Sequence, residues 1–257
     1  MNRIITTLFT VFIVQLLVVN KTLSNEGEVK DCFEKLNRAT FALNMGLDKV
    51  IFKPISKGYR KLPSPIRTGT GNALNNLSNL ITIPNNILQG DFGSAANNSA
   101  RLLINTTLGI AGIFDPANSF GFEKRDKEDF GQSLGVMGVG EGCYLVLPVL
   151  GPSTVRDTVG SLIAMNGGDV WHNITVRDDE EYVKEFKESD YWVSRVTSGV
   201  DFRAKNLEAF DAMEKNSVDL YATVRSLYLQ DRNKKINNSN TKTEAMEDGD
   251  WDTLENQ

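Results

Sequence analysis

The spacing of apolar residues along the chain predicts a protein built mostly from α-helices. Near the start of the chain, apolar residues recur at the intervals of one helix face: Phe33, Leu36, Leu43, Leu47 and Val50. We therefore predict a helix over 33–51, which Lys53-Pro54 ends or kinks because proline lacks a backbone N–H. A second stripe has spacings of three and four late in the chain: Leu207, Phe210, Met213, Ser217, Tyr221, Val224 and Tyr228.

Local signals predict further helix boundaries. Pro65 fits the first turn of a helix, where proline is tolerated. Asn98-Ser99 are predicted to cap a helix that runs from Ala100 towards Leu108. Strand patterns are few, and the apolar segment 144–150 is interrupted by Pro148. The predicted fold class is mostly α, with one folded domain over residues 31–232.

Polar residues run lengthwise between the apolar residues of the helix predicted over 33–51. Asn37, Asn44 and Asp48 fall on one narrow stripe, with Phe41 beside it. A buried amide or carboxylate is costly unless it finds hydrogen-bond partners or water. Two interpretations are open: a structural network that ties loops to this helix, or the polar wall of a lipid channel with apolar flanks.

Five glycines follow the charged segment 123–129: Gly131, Gly135, Gly138, Gly140 and Gly142. Glycine reaches backbone angles that other residues avoid, so this run suits either a tight irregular loop or a moving hinge or gate. No Gly-Lys-Ser/Thr follows, which excludes a phosphate-binding loop of that type.

The segment Gly131-Gln132-Ser133-Leu134-Gly135 also matches the G-x-S-x-G pattern of hydrolase nucleophiles. That pattern requires a buried strand just before it, whereas residues 123–129 are all charged. His172, three residues after Asp169, is the only histidine available as a base. We therefore reject a hydrolase and expect no catalytic residues.

Composition narrows the class of protein further. The chain has 257 residues, of which 40% are hydrophobic and 24% charged, with a net charge of -5. A nucleic-acid-binding protein usually has a basic surplus, so no nucleic-acid partner is expected. With one His and two Cys, a Cys/His metal cluster has too few ligands, and no metal or cofactor is expected.

Both ends of the chain differ from the middle. Arg3 precedes an apolar run from Ile4 to Val19, which predicts a secretory signal over residues 1–24, with a retained membrane anchor as the alternative. Residues 25–30 form a predicted polar linker. Residues 233–257 are polar and then acidic, so we predict a disordered tail.

Short motifs follow one another in a fixed order along much of the chain. The opening motif is Asp31-Cys32-Phe33-Glu34-Lys35-Leu36-Asn37-Arg38, with Phe41, Asn44 and Leu47-Asp48 after it. The most recognisable stretch is Glu128-Asp129-Phe130-Gly131-Gln132-Ser133-Leu134-Gly135. Between and after these lie Arg101, Ile104-Asn105-Thr106-Thr107-Leu108-Gly109, Phe114-Asp115 and Arg156-Asp157. A weaker C-terminal part comprises Arg203, Tyr221, Arg225 and Tyr228. Taken in this order, the motifs resemble those of the MlaA/VacJ family.

The resemblance implies a compact helical single domain embedded in the outer membrane, on its periplasmic side in the inner leaflet, with an amphipathic central channel. It implies non-enzymatic removal of mislocalised phospholipid from the outer leaflet, which maintains lipid asymmetry. The implied partners are phospholipid, a trimeric porin and a soluble periplasmic lipid carrier. A structural envelope protein that binds membrane and porin without conducting lipid is the alternative.

The sequence departs from the family pattern at its cysteines. The family is typically lipid-anchored, yet no cysteine follows the apolar run 4–19 closely enough for a lipobox. Cys32 and Cys143 stand where the family usually has proline. In an exported chain we predict that they form a disulfide between the first helix and the end of the glycine run, with two unrelated free thiols as the alternative.

Overall fold

The structure, a computed structural model, describes residues 30–177 and 186–247. In this part of the chain, the α-helices are α1 (Glu34–Leu47), α2 (Lys53–Arg60), α3 (Ser64–Leu88), α4 (Phe92–Thr107), α5 (Pro116–Ser119), α6 (Phe130–Val136), α7 (Val155–Ile163), α8 (Val170–His172), α9 (Glu188–Lys205), α10 (Leu207–Asn216) and α11 (Leu220–Glu247). The strands are β1 (Tyr144–Leu147) and β2 (Gly151–Thr154). The predicted, mostly α fold is therefore confirmed. The predicted signal over 1–24 lies outside the described residues, as does all of the linker except Lys30.

The first predicted helix continues past its expected end. A π-helical turn, Asp48–Phe52, connects α1 to α2, and Pro54 lies in the first turn of α2. Proline in an α-helix clashes with the carbonyl four residues earlier. The wider turn before Pro54 is the local distortion that the sequence predicted as a kink.

Helices α3 and α4 form a hairpin with extensive mutual contact. Gly90, at φ 77°, ends α3, and the N–H of Asp91 donates to the Asn86 carbonyl at 2.9 Å. The Asp91 carboxylate then accepts from the N–H of Ser94 at 2.9 Å and caps α4. The predicted cap at Asn98-Ser99 is wrong because α4 begins about two turns earlier, which places Asn98 on its buried face.

The two strands form an antiparallel hairpin in which Tyr144 pairs with Thr154 and Leu147 with Gly151. This sheet was not predicted from the sequence. Pro148 does not break it, because β1 ends at Leu147 and the proline lies in the turn. The adjacent Val149 has a φ of 66°, an unusual conformation for a β-branched residue.

The glycine run is partly helical, which corrects the prediction of an irregular loop. Gly131 and Gly135 lie within α6, and Gly138, at φ 85°, follows its end. The N–H of Gly138 donates to the Gly135 carbonyl at 2.9 Å, and that of Val139 to the Leu134 carbonyl at 2.9 Å. These two bonds form the left-handed C-terminal motif for which glycine is preferred.

The C-terminal helix extends beyond the boundary predicted at residue 232. The late apolar stripe divides into α10 and α11, and α11 continues to Glu247. Arg232 and Ile236 on α11 are buried, and Ile236 lies against α6 near Gly135. The predicted disordered tail therefore begins too early. Residues 248–257 lie outside the described part of the chain.

The molecule has a polar interior and an apolar surface. Among the described residues, buried polar and charged side chains outnumber buried apolar ones by more than two to one. One small apolar cluster contains Tyr144, Val146 and Tyr221. Many large apolar side chains are exposed instead, including Leu150 at 77% and Val50 at 75%. A monomer in water rarely exposes apolar surface on this scale. In the described ranges, no helix has both the length and the hydrophobicity needed to cross a bilayer.

Candidate functional site

A polar pocket of about 100 Å³ lies between α3, α4 and the segment before α6. Its lining residues are almost all amides or charged groups: Asn72, Asn75, Asn76, Ser78, Asn79, Asn98, Arg101, Asn105, Asp115, Lys124, Arg125 and Lys127. Four asparagines come from α3 at helical intervals of three and four, which places them on one face. The Oδ1 atom of Asn76 is buried there without a hydrogen-bond partner among the described residues. Such unpaired buried atoms are uncommon and call for an explanation.

The carboxylate of Asp115 forms the fixed part of the pocket wall. One guanidinium nitrogen of Arg101 donates to both carboxylate oxygens, at 2.8 and 2.9 Å, and Asn105 donates to Oδ1 at 2.9 Å. Burial alone would raise the pKa of Asp115, but these donors outweigh it and lower the pKa below its ordinary value. Asp115 is therefore ionised and paired at neutral pH.

The opposite side of the pocket carries cations. Lys124 lies 3.3 Å from Asp115, while Arg125 and Lys127 take part in no ion pair within the described ranges. Although Lys127 reaches solvent, the surrounding protein desolvates it, and this effect together with the nearby Lys205 lowers its pKa. The pocket thus has four cationic groups and one carboxylate in a chain with a net charge of -5.

An apolar loop adjoins the polar pocket. After α4, Ile110, Ala111 and Gly112 have φ angles of 52°, 54° and 89°. The left-handed region is unfavourable for side chains with a Cβ, so Ile110 and Ala111 are strained. Leu108, Ile110, Ile113 and Phe114 are exposed, and the Ile113 carbonyl accepts from Asn72 at 3.2 Å. An exposed apolar lip therefore directly borders the polar pocket.

Behind the pocket, Ser133 belongs to a buried hydrogen-bond network. Its hydroxyl donates to Oδ1 of Asn85 at 2.6 Å and accepts from Gln89 at 3.1 Å; Gln89 also donates to Glu128 at 3.1 Å. Ser133 lies in an α-helix, not at the sharp strand-to-helix turn that a hydrolase nucleophile requires. This location agrees with our rejection of the hydrolase motif.

The polar stripe on α1 is a structural network. Asn37 donates to the Tyr144 carbonyl at 3.0 Å and accepts from the N–H of Val146 at 2.9 Å. Asn44, two turns further along α1, repeats the pattern at the end of β1, donating to the Leu147 carbonyl at 2.9 Å and accepting from the N–H of Val149 at 2.7 Å. Both amides therefore bind the β-hairpin to α1. These contacts are those of a structural network. A role for the stripe in a lipid path stays a prediction.

Asp48, the third residue of the stripe, and Phe41 beside it contact later helices of the chain. Asp48 forms an ion pair with Arg203, and Phe41 packs edge-on against Tyr221 with ring centroids 5.6 Å apart. Arg203 and Tyr221, from the weaker C-terminal part of the motif series, thus contact residues near its start. Tyr221 and Arg225 both donate to Asp31, the latter at 2.8 Å.

A third cluster joins α6, α7 and α11. Tyr228 donates to Asp157 at 2.5 Å, and Arg232 donates to Asp157 at 2.7 Å and to Asp129 at 2.9 Å. Gly131 lies directly against this cluster, where an added Cβ would come within 2.5 Å of the Asp157 carboxylate. Gly131 is therefore needed for the close approach of α6 to this cluster.

Cys32 and Cys143 are joined by a disulfide, with their Cα atoms 5.6 Å apart. The predicted pairing is therefore present. The bond lies beside a backbone contact, because the N–H of Tyr144 donates to the Lys30 carbonyl at 3.0 Å. Together they attach the segment before α1 to the start of the hairpin.

The remaining glycines of the run differ in their surroundings. An added Cβ at Gly135 would lie 2.5 Å from Ile236, and one at Gly142 would lie 2.9 Å from Val155. Gly138 and Gly140 have open space around them. Close packing therefore explains why positions 135 and 142 need a residue without a side chain. A hinge or gate at Gly138 and Gly140 stays a prediction.

The polar pocket was not predicted from the sequence. The available signal was the spacing of Asn72, Asn75, Asn76 and Asn79, which marks an amide-rich face on a long helix. The basic residues within 124–127 were a second signal, but they were interpreted only as part of a charged segment. Their convergence on that helix face depends on the chain between them.

Comparisons with known proteins give one consistent result. A family model described as MlaA lipoprotein matches residues 29–235. An uncharacterized protein of Rickettsia prowazekii is 35% identical over 200 residues, covering 77% of this chain and 75% of the relative. The intermembrane phospholipid transport system lipoprotein MlaA of Escherichia coli is 31% identical over 205 residues, covering 78% of this chain and 76% of the relative.

A solved structure is also similar. It is described as "Structural basis for maintenance of bacterial outer membrane lipid asymmetry", and its chain matches with a TM-score of 0.67 and 28% sequence identity. The match covers 80% of this chain and 99% of that chain.

Proposed function

The chain belongs to the MlaA lipoprotein family, and from this membership we propose that it is the outer-membrane component of an intermembrane phospholipid transport system. It removes mislocalised phospholipid from the outer leaflet and thereby maintains lipid asymmetry. The process is physical transfer, without a chemical step on the lipid.

The polar interior and apolar exterior carry this proposal. Apolar side chains such as Leu43, Val50 and Leu150 are exposed, while amides and ion pairs fill the interior. In a bilayer the exposed residues contact lipid tails, and the interior provides polar contacts for a head group. A phospholipid needs both environments at once.

We place the head-group contacts of the lipid path at the pocket between α3 and α4. The exposed loop around Ile110 lies beside it and suits the acyl chains. The α1 stripe then has a supporting role, since Asn37, Asn44 and Asp48 already bind other parts of the chain. Gly138 and Gly140 are the positions with free space for a hinge.

The expected surroundings follow from the family. We propose that the protein lies on the periplasmic side of the outer membrane, in its inner leaflet. There it contacts a trimeric porin and passes lipid to a soluble periplasmic carrier. Copurification of the tagged chain with a porin from the membrane fraction tests the first contact.

A complementation experiment tests the proposed function. In a Gram-negative strain without its own family member, phospholipid at the cell surface is measured with an added phospholipase on intact cells. Expression of this chain is expected to remove the lipase-sensitive phospholipid. Normal asymmetry in the deletion strain, or no effect of a chain that is present in the membrane fraction, contradicts the proposal.

A pocket-filling variant separates lipid transport from a purely structural role in the envelope. Asn79→Trp places a bulky ring in the pocket at a residue whose side chain has no hydrogen bond in the described structure. We expect it to abolish complementation at normal protein level. Ser198→Trp, on the exposed side of α9, is the matched control. If Asn79→Trp restores asymmetry fully, a lipid path through this pocket is excluded.

A further inference from the structure

The charge balance of the pocket between α3 and α4 is strongly positive. Its lining includes Arg101, Lys124, Arg125 and Lys127 but only one carboxylate, that of Asp115. Arg195 and Lys205 lie near enough to Lys127 to oppose its charge further. Asp201 partly offsets the positive charge near Lys127, because it forms an ion pair with Lys205 at 2.6 Å.

The single carboxylate is fully engaged inside the protein. Asp115 accepts from Arg101 and Asn105, and Lys124 lies 3.3 Å away. A ligand ammonium entering the pocket would find no free carboxylate among the lining residues. It would also experience repulsion from the cations.

Two cations, by contrast, are free to bind an anion. Neither Arg125 nor Lys127 forms an ion pair within the described ranges. Guanidinium and ammonium groups form strong charge-assisted hydrogen bonds with phosphate oxygens. Asparagine amides on α3 provide further neutral donors around the same space.

We propose that this pocket selects lipids by head-group charge: it takes phospholipids whose only head-group charge is the anionic phosphate, such as phosphatidylglycerol, in preference to zwitterionic phosphatidylethanolamine. This inference rests on the proposed transport function and specifies its substrate class. The phosphate binds Arg125 and Lys127, and the uncharged glycerol of the head group lies among the asparagines. The ammonium of an ethanolamine head group gains no partner.

The pocket's apolar border favours a lipid over free phosphate. Ile113 and Phe114 are exposed at 45% and 59%, and Phe114 immediately precedes Asp115 in the chain. A phosphate in the pocket therefore lies next to a surface that suits acyl chains. Inorganic phosphate gains only the polar half of these contacts.

Equilibrium binding to the full chain in detergent micelles tests the proposal. A phosphatidylglycerol with a fluorescent acyl chain is bound first, and unlabelled phosphatidylglycerol, phosphatidylethanolamine or inorganic phosphate then competes. We expect phosphatidylglycerol to compete about tenfold better than phosphatidylethanolamine, because the ethanolamine ammonium meets cations and no free carboxylate among the lining residues. Added salt reduces the difference. Inorganic phosphate is expected to compete poorly.

Variants with equal charge change locate the selectivity. Arg125→Gln with Lys127→Gln removes the two unpaired cations, and we expect it to abolish the preference while phosphatidylethanolamine binding persists. Lys35→Gln with Lys49→Gln removes two exposed cations, one on α1 and one in the π-helical turn after it, and is expected to leave the preference unchanged.

Each result leads to a definite conclusion. Equal binding of the two lipids, or a preference that survives the Arg125/Lys127 double substitution, overturns charge selection at this pocket but leaves phospholipid transport intact. If inorganic phosphate competes equally with the lipid, charge selection of lipids is also overturned, and the pocket is a site for free phosphate. If neither lipid binds, the proposed transport function itself is overturned.

Discussion

Asp48 and Arg203 are 155 residues apart in the chain, yet they form a two-pronged ion pair, with Nε–Oδ1 and Nη2–Oδ2 distances of 2.8 and 2.9 Å. The pair joins the turn after α1 to α9. Arg203 is buried, and its ring contact with Phe210 fixes the guanidinium further. Two family positions at opposite ends of the sequence are thus one structural unit.

Removing one member of this pair should destabilise the protein. Asp48→Asn keeps the shape but leaves the Arg203 guanidinium without its main counter-charge, so we expect a loss of about 3 kcal/mol in the free energy of unfolding. Asp211, 3.8 Å from Arg203, limits the loss. Denaturant unfolding in detergent, followed by far-UV circular dichroism, measures it. The double variant Asp48→Leu with Arg203→Met should lose less, and a single variant as stable as the wild type contradicts the expectation.

Asn37 provides a test of the structural network on α1. Asn37→Leu has similar volume but leaves the Tyr144 carbonyl and the Val146 N–H buried without this partner, so we expect a loss of about 2–3 kcal/mol. Asn75→Leu removes a pocket amide that has no side-chain hydrogen bond in the described structure. It should change stability by less than about 0.5 kcal/mol. Comparable losses for both variants would contradict this assignment.

The disulfide should contribute strongly to stability, because its cysteines are 111 residues apart. In the loop-entropy description, a closed loop of this length stabilises the fold by about 4–5 kcal/mol. We expect Cys32→Ser to lower the melting temperature and to abolish the mobility shift between reducing and non-reducing gels. The double variant with Cys143→Ser should melt at the same temperature as the single variant. A further decrease in the double variant would mean that the two positions act independently.

Two helical glycines should respond to alanine with opposite sign. At Gly160 an added Cβ would lie 2.3 Å from the backbone nitrogen of Gly131, so α6 and α7 would have to separate, with a loss of more than about 2 kcal/mol. At Gly46 the Cβ meets nothing within 4 Å. Gly46→Ala should therefore gain about 1 kcal/mol from helix propensity. Melting temperatures in the same detergent check both signs, and a neutral Gly160→Ala would show that the helices are not in close contact.

Stability should fall in acid partly through Asp129. Burial opposes the ionisation of this carboxyl, but the hydrogen bonds and charge of Arg232 outweigh it and lower the pKa to about 2. The pKa in the unfolded chain is higher, about 3.9. The resulting stabilisation is present above about pH 4 and is lost as the pH falls towards about 2. Unfolding free energies between these pH values measure it.

Asp129→Asn should flatten that pH dependence, whereas Asp126→Asn, which removes an exposed carboxylate without an ion pair in the described chain, should not. An unchanged slope in the Asp129 variant would exclude this carboxylate as the source.

Several features followed from short stretches of sequence. Apolar spacing gave the helix after Phe33 and the two C-terminal helices, because side chains three and four residues apart share a helix face. Pro54 marked the distortion after α1. The motif order led to the family, and the substituted positions of Cys32 and Cys143 led to the disulfide.

Other features were misjudged because distant groups decide them. Asp91, rather than Asn98, caps α4, since the turn after α3 positions its carboxylate. Gly131 and Gly135 resembled a loop, yet contacts with α7 and α11 favour a helix without side chains at these points. Residues after 232 resembled a disordered tail, but Ile236 is buried against α6.

By itself, the sequence determined the helical class, the family and the residues of the α1 polar stripe, because helical periodicity and ordered motifs are properties of neighbouring positions. Only the tertiary structure decided what those residues contact. Asn37 meets Val146 across 109 positions, and the asparagines of α3 meet Lys127 at one pocket. Hydrogen bonds and charges act over a few ångströms, so partners far apart in sequence are defined only once the chain has folded.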